Sequence, residues 1–114
     1  MKIEKFEDII SWNKGRELTI NIYDQFRNCR DFSFRDQIQR ACVSIMNNIA
    51  EGFERRGDKE LRYFLHMAKG SCGEVRSMLY LALQFNYIDK EQFEINYNLS
   101  VEISKLLSGF IKTL

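Results

Sequence analysis

The sequence predicts an all-α fold, an antiparallel up-down-up-down four-helix bundle, and three observations carry that prediction. Apolar residues recur at three- and four-residue steps through most of the chain, the period of a helix face laid on a core. Proline is absent from all 114 residues, which suits long uninterrupted helices joined by short turns. The breaks between the periodic stretches are brief, and four helices with short connections pack most simply as up-down neighbours. The length fits one domain, residues 1–114, able to bury a core without metal or disulfide staples. With 45% hydrophobic and 29% charged residues the chain is globular rather than disordered.

The first helix is expected over about residues 7–28. Its polar residues Lys14, Glu17, Asn21, Asp24, Gln25 and Asn28 gather on one side. Ile9, Trp12, Leu18, Ile20, Ile22, Tyr23 and Phe26 cover the rest, an arc wider than the roughly 100° stripe that one core requires. Either a second contact surface or ordinary apolar exposure accounts for that width. After a break near Cys29, Ser33 and Asp36 have capping-box spacing, and the second helix is expected over 34–56. Gly57 is placed to terminate it, and Asp58 to cap the third helix, with Glu60 in its first turn. The third helix is expected over 59–86, with Leu61, Leu65, Ala68, Cys72, Val75 and Leu79 in its apolar rows. Gly70 and Gly73 each cost about 1 kcal/mol against alanine there. That cost points to close approach by a neighbouring helix or, alternatively, to a break at Gly70. Asp89 and Gln92 repeat the capping-box spacing before a fourth helix over 90–113.

The tight turn near Gly57 sets the register of helices two and three. In an antiparallel hairpin, positions whose numbers sum to about 114 lie level. Ser44 then meets Gly70, Arg40 meets Glu74, Asn48 meets His66, and Cys42 meets Cys72. Glu51 lands near Arg62. The polar row Arg40, Ser44, Asn48 and Glu51 thus reads as a register-setting seam against Gly70 and Glu74, with Arg40–Glu74 and Glu51–Arg62 as pairs that fix register more than they add stability.

Composition and motifs narrow the function classes. Three cysteines without close spacing argue against a disulfide framework or a zinc site and suit a reducing, cytoplasmic compartment. The charged N-terminus is unlike a signal peptide, and no apolar run approaches the ~20 residues that span a bilayer. The one histidine, with Tyr63 three residues before it, excludes the paired Glu-x-x-His ligands of di-iron bundles. There is no P-loop, no dinucleotide fingerprint, no zincin motif and no convincing nucleophile–base pair. The expectation is a protein that is not an enzyme, with no cofactor, metal or catalytic residue. A net charge of +1 gives no global attraction for nucleic acid. Arg55, Arg56, Lys59 and Arg62 nevertheless surround the second turn, and Lys2, Lys5 and Lys112 reach the same bundle end. Phosphates would be neutralised there, although Glu4, Glu54, Asp58 and Glu60 are interleaved.

Three blocks of residues resemble one family. They are Gln37-x-x-Arg40-Ala41, then Ser44-Ile45-x-x-Asn48-Ile49-Ala50-Glu51-Gly52-Phe53-x-Arg55, then Phe64-Leu65-x-x-Ala68-x-Gly70-Ser71-x-x-Glu74. The family is the four-helix bundle proteins encoded in intervening sequences of bacterial 23S ribosomal RNA genes, and the resemblance runs from Phe6 through Ile88. It implies an up-down bundle that assembles as a ring-like homo-oligomer, a pentamer. The family is similar to the accessory protein of diversity-generating retroelements, a pentameric barrel that binds nucleic acid and a reverse transcriptase. The resemblance therefore implies a non-enzymatic role with RNA or DNA, and a protein such as a reverse transcriptase, as partners. The alternative is a protein-interaction scaffold using the wide apolar surfaces of helices one and four. The sequence departs from the family pattern at Asn28 to Asp31, where a proline is usual, at Met46, where proline is common, and at Cys72 and Gly73, where bulkier residues stand. These departures bear on how the helices meet rather than on the fold.

Overall fold

The computed structural model describes residues 2–114. They form four α-helices, α1 (Ile10–Gln25), α2 (Phe32–Glu54), α3 (Asp58–Gln84) and α4 (Lys90–Lys112). Each helix packs on its sequence neighbours, and α1 packs on α4 to close the four-helix bundle. Its axis is long, 42 Å against 22 and 19 Å across. Among the described residues there is no strand.

The first helix starts later than its periodicity suggests. Phe6–Asp8 is a separate 3₁₀ turn. Ile9 then takes an extended conformation (φ −78°, ψ 121°) before α1 begins. Three contacts hold that bend. The Asn13 amide donates to the Glu7 and Ile9 carbonyls at 2.8 and 3.1 Å, and Phe6 meets Trp12 edge to face at 5.2 Å between ring centroids. Helix α1 ends at Gln25 rather than near Asn28, with Phe26 wholly buried just past it.

The second helix begins two residues early because Asp31, not Ser33, caps it. One Asp31 oxygen accepts the Phe34 N–H at 3.2 Å. The other accepts the Tyr87 hydroxyl at 2.7 Å. A cap that also ties the α1–α2 connection to the α3–α4 connection outcompetes an exposed serine hydroxyl, since hydrogen bonds to a charged acceptor are the stronger kind. Phe34 packs edge-on against Tyr87 (5.4 Å) and Phe85 (6.3 Å) at the same bundle end.

At the opposite end α2 stops at Glu54 rather than Arg56, and the left-handed residue is Arg56 (φ 64°), not Gly57. Gly57 is extended (φ −138°, ψ 142°) and precedes α3 as its N-cap. Asp58 is accordingly the first residue of α3 rather than its cap, and with Glu60 it places negative charge in the first turn. Helix α3 runs unbroken through Gly70 and Gly73 and ends two residues early, at Gln84. The Asp89–Gln92 capping box forms as expected. The Asp89 carboxylate accepts the Gln92 N–H at 2.8 Å, and the Gln92 side chain accepts the Asp89 N–H at 3.0 Å.

The core is one continuous cluster built from all four helices, with Leu18, Ile22, Ile38, Ile45, Ile49, Leu65, Leu79, Ile103 and Leu107 fully buried. Burying each such side chain contributes roughly 1.5–3 kcal/mol. Helix α1 buries Leu18 and Ile22 and turns part of its polar side toward a neighbour. Its polar row faces α4, where the buried Asn96 donates to Gln25 and accepts from Asn21, and Lys14 lies 3.6 Å from Glu102. Ile10, Ile20 and Tyr23 are left exposed. Asn96 accounts for this placement, because a wholly buried amide requires polar partners on the facing helix.

Candidate nucleic-acid interface

The α2–α3 turn is built from a glycine, a strained arginine and a helix start. Gly52, buried near the end of α2, allows α3 to pass close by. A Cβ added there would lie 2.6 Å from the Phe64 Cβ and 3.3 Å from Leu61 Cδ1. That approach holds Phe64 beneath Arg55, whose guanidinium lies 5.2 Å from the ring centroid. Arg56 lies 5.6 Å over the Phe53 ring. Each cation is braced by an aromatic face, which fixes its stem while its charge remains at the surface.

The charges at the turn are not equivalent. Arg55 is paired with Glu51 one helical turn earlier, at 2.7 Å, and both side chains are about half exposed. This replaces the expected Glu51–Arg62 pair, because a partner four residues away on the same helix is nearer than one across the hairpin. Arg56, Lys59 and Arg62 form no ion pair among the described residues. The Glu60 carboxylate lies against Gly57, its Oε1 2.9 Å from where a Cβ would stand. That carboxylate sits beside the α3 N-terminus, where negative charge is favoured. The N-terminal turn packs on α2 and the start of α1, and Lys2 shares a cleft with Leu106 and Phe110 of α4. The two chain ends and the α2–α3 turn therefore meet at one end of the bundle.

The predicted seam is real in register and different in chemistry. Ser44 and Ser71 share a hydrogen bond of 2.9 Å between their hydroxyls, one residue beyond the expected Ser44–Gly70 level. Gly70 is not a point of close approach, since a Cβ there would meet nothing within 4 Å. Arg40 and Glu74 line one cleft with Gln37, Ala41 and Ser44 but form no ion pair. Gln37 donates to Glu74 instead, at 3.3 Å. Asn48 does not reach across toward His66. Its amide donates back to the Ser44 carbonyl and hydroxyl at 2.8 and 3.0 Å. The row Arg40, Ser44, Asn48, Glu51, Gly70 and Glu74 thus takes part in two cross-helix bonds, Ser44 with Ser71 and Glu74 with Gln37, neither between two of its own members, and the true steric seam is at Gly52. The glycine in the Ala50-Glu51-Gly52-Phe53 block was the available signal, because a glycine inside a helix needs a packing reason.

Cys42 and Cys72 are both buried on the facing sides of α2 and α3. Burial pushes both thiols up, Cys72 to about 11, and the neighbouring Cys72 pushes Cys42 further the same way. Cys72 donates to the Ser100 carbonyl at 3.0 Å. These are neutral core thiols, inert at ordinary pH. Among the described residues no group of three or more His, Cys, Asp or Glu side chains gathers to hold a metal ion. No helix among them is long and apolar enough to cross a membrane.

Comparison with known proteins gives two results and one blank. The model of the 23S rRNA-intervening sequence protein family matches residues 7–109. A crystal structure from Bacteroides thetaiotaomicron, described as a protein with unknown function from the S23 ribosomal protein family, superposes with a TM-score of 0.84 at 30% identity. The superposition covers 90% of this chain and 99% of that one. Curated proteins provide no significant match. The family match spans all four helices, including the Gly52 seam and the basic turn, and the chain belongs to the 23S rRNA-intervening sequence protein family.

Proposed function

We propose that this chain is a non-enzymatic helical bundle that works as a cytoplasmic homo-oligomer, a pentamer, with a nucleic-acid binding or accessory role toward RNA or DNA. The observation that carries this reading is the α2–α3 turn, where Arg56, Lys59 and Arg62 have no carboxylate partner among the described residues, at the end where α1 begins and α4 finishes. Cations at one compact end neutralise phosphates and release counterions. The family's name, which refers to 23S rRNA, supports RNA as the first partner to test. The large apolar side chains left outside the core support self-association, Ile10 at 62% exposed and Ile20 at 55% among them. In a symmetric oligomer a weak basic site repeats and becomes multivalent.

The test is binding to ribosomal RNA fragments at low salt. Arg55→Glu with Arg56→Glu is expected to weaken binding, and salt is expected to weaken it steeply. Binding insensitive to salt, or none at low salt, contradicts the reading. Light scattering at micromolar concentration tests the assembly, and a single-chain mass contradicts it. A second reading is a scaffold for a protein partner, such as a reverse transcriptase, and it rests on the same exposed apolar residues together with Ile95 of α4, half exposed. A co-purifying protein that survives nuclease treatment favours that reading.

A further inference from the structure

The outward face of α3 carries a charge pattern that the turn does not account for. Lys59, Arg62, His66, Lys69, Gly73 and Arg76 follow one another at alternating steps of three and four residues. That spacing places them in a single row along the helix. At ~1.5 Å per residue the row is roughly 25 Å long. Its members are exposed or half-buried, with none in the core. Lys59, Arg62, Lys69 and Arg76 make no ion pair among the described residues. Beyond the first turn, where Asp58 and Glu60 lie, Glu74 is the one acidic residue of α3, and Gln37 donates to it at 3.3 Å.

Two further features make this row more than a solvated face. Gly70 and Gly73 leave the backbone bare beside the cations. A Cβ at Gly70 would meet nothing within 4 Å, and one at Gly73 would meet only the Arg76 Nη2 at 3.9 Å, so the Arg76 guanidinium lies back over that gap. Exposed tyrosines stand near both ends, Tyr63 between Arg62 and His66 and Tyr80 beyond Arg76. Tyr63, four residues after Lys59, is 61% exposed, and Tyr80, four residues after Arg76, is 55% exposed. Tyr63 meets Phe64 edge to face at 5.2 Å, and Tyr80 packs against Phe93 and Tyr97 at 5.3 and 5.7 Å. Both rings are braced on one side and open on the other.

We infer that the α3 row binds a single-stranded nucleic acid, its phosphates tracking Lys59, Arg62, Lys69 and Arg76 and its bases stacking on Tyr63 and Tyr80. The inference rests on the nucleic-acid reading above and assigns it a substrate class and an extended surface. Interleaved cations and aromatic faces are the means by which proteins hold unpaired strands. A duplex keeps its bases stacked on each other and offers the tyrosines nothing to cover.

Fluorescence anisotropy with an end-labelled oligouridine of about twenty nucleotides, beside a blunt RNA duplex of equal length, tests it at low salt. Lys69→Glu with Arg76→Glu is expected to weaken single-strand binding by about tenfold or more. If that charge reversal lowers the melting midpoint, Lys69→Gln with Arg76→Gln reads the same loss at smaller amplitude. Tyr63→Ala is expected to cost roughly tenfold for the single strand, with Tyr63→Phe close to wild type, because a ring rather than a hydroxyl is required. Should the α3 variants bind like wild type while Arg55→Glu with Arg56→Glu loses binding, the row is overturned and the turn-based reading stands. Equal affinity for duplex with no effect of Tyr63→Ala overturns the single-strand class. A wild-type protein that binds neither probe overturns both readings.

Discussion

Gly52 of α2 and Gly70 of α3 are both glycines inside long helices, and their surroundings are opposite. At Gly52 a methyl group would sit 2.6 Å from the Phe64 Cβ, while at Gly70 it would meet nothing within 4 Å. Each glycine costs its helix about 1 kcal/mol against alanine. At Gly52 the cost is offset inside the chain by the close approach of α3, which carries Phe64 and Leu61 into contact. At Gly70 no group among the described residues offsets it. The inner seam is thus packed within one molecule, and Gly70 stands in the open. On the proposed reading, an exposed glycine among the cations lets a bound strand come close to the α3 backbone.

Substitutions at the two glycines should act in opposite directions, with the largest effect at the seam. Gly52→Ala is expected to destabilise the fold by about 2 kcal/mol, because the overlap with Phe64 outweighs the gain in helix propensity. Urea denaturation reads this as a lower midpoint with an unchanged slope. Next comes Ser71→Ala, which removes the Ser44 partner across the seam and is expected to cost about 1 kcal/mol by the same measurement. Gly70→Ala is expected to act in the other direction, raising stability by up to about 1 kcal/mol. A destabilising Gly70→Ala would show that the outer face is already packed in the isolated chain.

The smallest effect lies at the far bundle end and appears only at alkaline pH. The Tyr87 phenol is raised above its ordinary value of 10.0, first by donating to Asp31, then by partial burial and the Asp31 charge. The unfolded chain releases that proton at lower pH than the folded chain does. The stabilisation is therefore complete below the ordinary tyrosine pKa of about 10 and fades as pH rises through the folded value. Tyr87→Phe is expected to lower stability slightly at neutral pH and to flatten this alkaline decline, which thermal unfolding across pH 8–11 measures.

The sequence made the helices legible because periodicity is local and each long helix repeats it several times. The Asp89–Gln92 box was equally legible, both partners lying within one turn. The Asp31 cap was not, since its second partner, Tyr87, is 56 residues away. Counting from Gly57 located the α2–α3 register to within a residue, as the Ser44–Ser71 bond shows. It did not identify which glycine faces the partner helix, because that depends on helix rotation as well as height. Glycine's usual place in a left-handed turn pointed to Gly57, whereas Arg56 adopts that conformation and lays its guanidinium over Phe53. At the candidate site the cluster Arg55, Arg56, Lys59 and Arg62 was visible as adjacent charge. That Arg55 is already paired required the last turn of α2, where Glu51 reaches it, and that Lys69 and Arg76 continue the row required α3 to run unbroken through Gly70.

The most direct test of the account is the salt dependence of nucleic-acid binding by the wild-type chain. A strand that follows the α3 row contacts about three or four phosphates, so the logarithm of the association constant should fall with the logarithm of salt with a slope of roughly −2 to −3 per chain. Lys69→Glu with Arg76→Glu should bring that slope about 1.4 units nearer zero. A flat salt dependence, or a slope unchanged by the double substitution, would contradict the claim that the open face of α3 holds a nucleic-acid strand.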